Sequence, residues 1–69
     1  MFSYFLLKDS EHEGMLIKRN DINRQEFYFN NETKRWTPIA ILMNYFWIES
    51  DTFEMYDKIS EQQAKELLK

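Results

Sequence analysis

Short apolar runs separated by polar turns fill the first half of the chain, and one nearly unbroken apolar run opens the second. Residues 2–7 are aromatic-rich and suited to a pleated surface, which predicts a first strand. Residues 8–14 are polar and end at the only glycine, so they form a loop. Residues 15–19 predict a second strand. Asn20, Asp21 and Asn23 then supply a turn, because Asn and Asp tolerate left-handed backbone. Residues 25–30 predict a third strand, with Phe27 and Phe29 on one face, the expected core side, and Tyr28 on the other. A turn at 30–33 leads into a short fourth strand at 34–36.

The period then changes. Thr37 suits an N-cap and Pro38 the first helical position. From Ile39 to Ile48 only Asn44 is polar, which predicts a helix covered on most sides, with a buried strand as the alternative. Asp51 with Glu54 predicts a short helix through Lys58. Ser60 and Gln63 form a capping-box pattern that opens a last helix from about Glu61, burying Ala64, Leu67 and Leu68. The expected fold is α+β: a three- or four-stranded antiparallel β-meander followed by two or three short helices packed on one sheet face. Residues 1–69 make one domain, with 1–37 the meander and 38–69 the helical half.

A chain of 69 residues sits near the size where one core barely offsets the cost of ordering. Disulfides cannot help, since there is no Cys, and a metal has only one His to use. Aromatic packing, with 17 % aromatic residues, or oligomerisation must contribute instead. The cysteine-free composition suits the cytoplasm. The apolar start lacks the positive flank and cleavage site of a signal peptide, and no window nears the ~20 apolar residues of a membrane span. The net charge is -3. It is uneven: residues 1–37 are balanced, their cations clustered between Lys18 and Arg35, and residues 38–69 carry the whole acidic surplus.

Candidate chemistry is thin. Asp9, Ser10, Glu11 and His12 hold triad residue types, but a triad is assembled by a fold and not by adjacency. Glu11, His12 and Glu13 are neighbours that do not converge on one ion. Asp51, Glu54 and Asp57 fall along one face of the expected helix and read as a solvated face. One glycine excludes a Gly-rich phosphate loop. No catalytic residue, metal or cofactor is expected.

The hairpin of residues 24–36 interleaves Arg24, Phe27, Tyr28, Phe29, Lys34, Arg35 and Trp36, a pattern that could stack and hold single-stranded nucleic acid. The acidic balance of the whole chain and Glu26 and Glu32 within the hairpin oppose that alternative. Residues 27–38, Phe-Tyr-Phe-Asn-Asn-Glu-Thr-Lys-Arg-Trp-Thr-Pro, resemble the second hairpin of WW domains: an aromatic pair, an Asn, a Thr three residues on, then a Trp and a Pro. The intervals from Thr33 to Trp36 and from Trp36 to Pro38 are shorter than in that family, and its first Trp is missing. The resemblance implies a groove of Tyr28 and Trp36 for a Pro-rich peptide.

The apolar run at 39–48 exposes more apolar surface than one small chain can cover, and exposed Trp and Met mark interfaces. The expectation is a small non-enzymatic cytoplasmic protein that acts by protein–protein contact, as a homodimer or as an accessory or regulatory subunit, without a membrane. Met43, Tyr45 and Trp47 are the expected apolar anchors. Tyr28, Trp36 and Arg24 form a second, more polar candidate surface.

Overall fold

A computed structural model describes residues 1–68. It contains β1 (Phe2–Leu7), β2 (Leu16–Asn20), β3 (Glu26–Asn30), β4 (Arg35–Ile39), α1 (Met43–Phe46), β5 (Tyr56–Ile59) and α2 (Glu61–Leu67). The strands form one five-stranded sheet in the order β4-β3-β2-β1-β5, antiparallel at every pairing. The meander is therefore four strands long, and a fifth strand, absent from the sequence expectation, closes on the far edge of β1.

Local chemistry explains the turns. Asn20 Oδ1 accepts from Ile22 N–H at 2.9 Å, and Asn30 Oδ1 accepts from Glu32 N–H at 2.9 Å. Each loop closes with a left-handed residue, Arg24 at φ 60° and Lys34 at φ 59°, whose N–H returns to the Asn carbonyl. The two hairpins are thus one turn design used twice, ten residues apart. Gly14, at φ 82°, serves the third loop, where its N–H donates to the Leu7 carbonyl.

The register divides the side chains. Phe5 faces Ile17, Ile17 faces Tyr28, and Leu7 faces Tyr56, so these share one face. That face carries the core of Phe5, Leu7, Ile17, Leu42 and Tyr45. Phe5, Phe46 and Tyr56 pack edge to face with centroids 5.3–5.7 Å apart. The opposite face carries Tyr4, Lys18, Phe27, Phe29 and Trp36. This reverses the expected core side of β3: Tyr28 packs against the core, while Phe27 and Phe29 lie half-buried on the other face. Trp36 packs edge-on to Phe29 at 5.4 Å, and Lys18 Nζ lies 4.5 Å from the Trp36 ring centroid. A cation over an indole face replaces the usual apolar cover there.

Three further expectations are corrected. Thr37 and Pro38 belong to β4 and not to a helix start. β4 is an edge strand, where a proline removes no needed donor. Of residues 39–48 only Met43–Phe46 is helical, a single turn. The segment after Asp51 is a turn and then β5, because Glu54 adopts φ 61° and Tyr56–Ile59 has the aromatic and β-branched ends that fit the open edge of β1. The two helices also do not share one core: Tyr45 of α1 joins the cluster with Phe5, Leu7 and Ile17, whereas the buried Ala64 of α2 stands outside it. The capping box forms as read, with Gln63 N–H donating to Ser60 Oγ and Ser60 N–H to Gln63 Oε1. Only Ala64 of α2 is buried; Leu67 and Leu68 are exposed, since a two-turn helix meets the sheet along one stripe. Among the described residues no helix is long and apolar enough to cross a membrane.

Candidate interaction surface

The candidate surface is built on the one-turn helix α1. An isolated turn does not hold in water, and this one is braced at both ends by the rest of the fold. Its own N-cap position, Leu42, has no polar side chain. Glu26 of β3 substitutes: its Oε1 accepts from Ile41 N–H at 2.8 Å and Leu42 N–H at 2.9 Å. At the other end the Asn44 carbonyl accepts from Thr52 Oγ1 at 2.8 Å and the Tyr45 carbonyl from Glu54 N–H at 3.0 Å. Two open carbonyls of the turn are thus met by the 50–54 loop.

Helical spacing then sorts the side chains. Leu42 and Tyr45, three apart, point into the core and are each 1 % exposed. Met43 at 76 %, Trp47 at 57 % and Ile48 at 74 % are left outside, with Phe46 between the two environments. Beside them lies an open cleft of about 580 Å³ lined by Arg19, Arg24, Glu26, Leu42, Met43, Phe46 and Trp47. The Arg19 guanidinium carbon sits 5.5 Å from the centroids of both Phe5 and Phe46, and its Nη2 is 3.9 Å from Asp21 Oδ1. Arg19 Nε is buried and meets no acceptor among the described residues. The cleft therefore offers an apolar wall with guanidinium groups at its margin.

On the other side of α1 lies a polar cleft that includes Asp9, Glu11, His12, Asn44, Tyr45 and Asp51. At its base Tyr45 Oη donates to Asp9 Oδ1 at 2.6 Å, and His12 Nδ1 lies 2.9 Å from Asp9 Oδ2. Burial alone would push the Asp9 carboxyl upward, but the hydrogen bonds from Tyr45 and His12 outweigh it and hold the group below its usual range. Burial, then the bond to Asp9 and its negative charge, drive the Tyr45 phenol strongly upward. The trio ties the β1–β2 loop to α1. Among the described residues no group of three or more His, Asp or Glu side chains is placed to hold a metal. Sequence reading treated Asp9 and His12 as loop residues; their link to Tyr45 spans the chain and leaves no local signal.

The sequence-predicted residues separate. Met43 and Trp47 stand together on the surface, and Arg24 joins them across the cleft. Tyr45 is core, because its ring fills the space under α1 and its hydroxyl is held by Asp9. Tyr28 faces Thr37 while Trp36 faces Phe29, so Tyr28 and Trp36 project from opposite faces of the hairpin and do not form a shared groove. The groove implied by the WW resemblance is absent for that reason of register. Glu26 and Arg19, which complete the cleft, were missed, since only the packing of α1 over β2 and β3 brings them to it. Comparison with protein-family models, with curated proteins and with solved structures gave no match.

Proposed function

We propose that this chain is a non-enzymatic protein that acts by protein–protein contact, as a homodimer or as an accessory or regulatory subunit, in the cytoplasm, and that α1 makes the contact. One observation carries the reading: Met43 and Trp47 stand exposed on one cleft wall, with Ile48 exposed next in the chain, at a turn that the fold hydrogen-bonds at both ends. An exposed Trp beside Met and an arginine has the composition of an interface centre. Nucleic-acid binding by the hairpin has less support. Its aromatics are divided between two faces, and Lys18, the cation central to the aromatic face, is already engaged by Phe2, Phe27 and Trp36.

The test combines solution mass by light scattering with photo-crosslinking from position 48 in native-host lysate. The expected result is a defined adduct, with self or with one other protein, that Trp47→Ala abolishes while leaving the circular dichroism unchanged. An adduct indifferent to Trp47→Ala, or a monomer that captures nothing, overturns the reading.

A further inference from the structure

We propose that the exposed side of α1 is covered by a second copy of this chain, related by a twofold axis that runs along the α1 turn. The inference rests on α1 being a contact surface and names its occupant. Met43 and Trp47 form an exposed apolar ridge that walls one cleft, and Asn44 and Tyr45 of the same turn line the other. Arg19 and Arg24 stand on one flank, Glu11 and Asp51 on the other. Arg24, Glu11 and Asp51 make no ion pair with any described residue. Arg19 contributes a buried Nε with no acceptor. One chain thus carries an unpaired arginine, Arg24, beside the ion-paired Arg19 and the capping carboxylate of Glu26 on one side of an apolar ridge, and the unpaired carboxylates of Glu11 and Asp51 on the other.

Rotation by half a turn about an axis lying along the ridge exchanges those flanks. The basic flank of one copy then faces the acidic flank of the other, twice over, while the apolar crests meet across the axis. Such an interface is isologous, as in most homodimers. An axis set across the ridge would instead put arginine against arginine. The charges therefore select both the partner and the direction of the axis. The net charge of -3 opposes association only weakly at physiological salt. The Debye length there is about 8 Å, well below even the shortest dimension of the molecule, 20 Å.

A charge swap tests this. Wild type is expected to be a dimer by light scattering behind a sizing column. Arg24→Glu and Asp51→Lys, both at exposed positions, are each expected to weaken the dimer at least tenfold. Mixed in equal amounts, the two variants are expected to form a heterodimer at near wild-type affinity, resolved from homodimers by native mass spectrometry. A monomeric wild type overturns the second copy, and a heterologous adduct that Trp47→Ala abolishes would still uphold α1 as a contact surface. A dimer lost in Trp47→Ala but indifferent to both charge variants keeps the α1 contact and overturns the flank pairing. A dimer that survives all three variants overturns both readings.

Discussion

The Tyr45 hydroxyl donates to Asp9 at 2.6 Å, joining residues 36 positions apart in sequence at the base of the molecule. Asp9 is buried, so its carboxylate depends on this donor and on His12. Removing a partner from a buried charged acceptor costs about 1–3 kcal/mol or more. Tyr45→Phe should therefore lower stability by about 2 kcal/mol in urea unfolding. Asp9→Ala should cost at least as much, and the double variant less than the two single costs added together, because both remove the same bond. Strict additivity would show that the pair does not act as a unit.

The same pair sets a pH window. A depressed carboxyl stabilises the fold above the unfolded Asp value of about 4 and loses that contribution as pH falls through its folded value. A raised phenol stabilises the fold fully below the unfolded Tyr value of about 10 and loses that contribution as pH climbs above it. Stability should be flat through neutrality and decline on both sides. Asp9→Asn should flatten the acid limb, and Tyr45→Phe should reduce the alkaline one. Tyr4, whose phenol is raised by burial and by Glu61, adds to the alkaline limb and should leave part of it in Tyr45→Phe.

The left-handed residues offer a gain. A side chain in this region costs about 1–2 kcal/mol that glycine does not incur, partly returned by the greater freedom of unfolded glycine. Lys34→Gly should raise stability by about 0.5–1 kcal/mol by this balance. Lys34→Val should lower it, because a β-branched residue is a poor occupant at φ 59°. Thermal unfolding of the two variants would settle the sign, and equal midpoints would argue against strain at this turn.

Glu26 holds α1 from a distance. Glu26→Ala leaves the Ile41 and Leu42 N–H groups without their acceptor and should cost about 1–2 kcal/mol, the range seen for lost caps. Glu26→Gln keeps an oxygen in place and should cost less. Hydrogen exchange at Ile41 and Leu42 should speed up in the alanine variant before global unfolding. Unchanged exchange would mean the cap is dispensable.

Much of the sheet was legible because alternation and turn chemistry are local: the first three strands, their turns and the Ser60 cap all follow from neighbours in sequence. What failed depended on distant partners. Residues 39–48 look helical in isolation, yet strand β4 takes the first of them because β3 offers an edge. Trp47 is already extended at ψ 120°. Tyr56–Ile59 gave no strand signal strong enough to compete with the acidic helix pattern at 51–54, since its reason for being a strand is the bare edge of β1. The exposure of Met43 and Trp47 was legible in the surplus of apolar residues at 39–48, whereas Arg24, expected beside Tyr28 and Trp36, lines their cleft instead. Tyr45 could not be told from Met43 and Trp47, because the side of the turn that meets the core is set by distant partners such as Asp9 and Glu26.

β1 is paired on both sides, by β2 and by β5. The first pairing is a local hairpin, while the second joins strands separated by more than half the chain. In any interval before residues 56–59 dock, β1 has its outer margin bare. Any chaperone or neighbouring nascent chain that meets the protein in that interval meets β1, and the speed with which residues 56–59 arrive sets how long it is open to them.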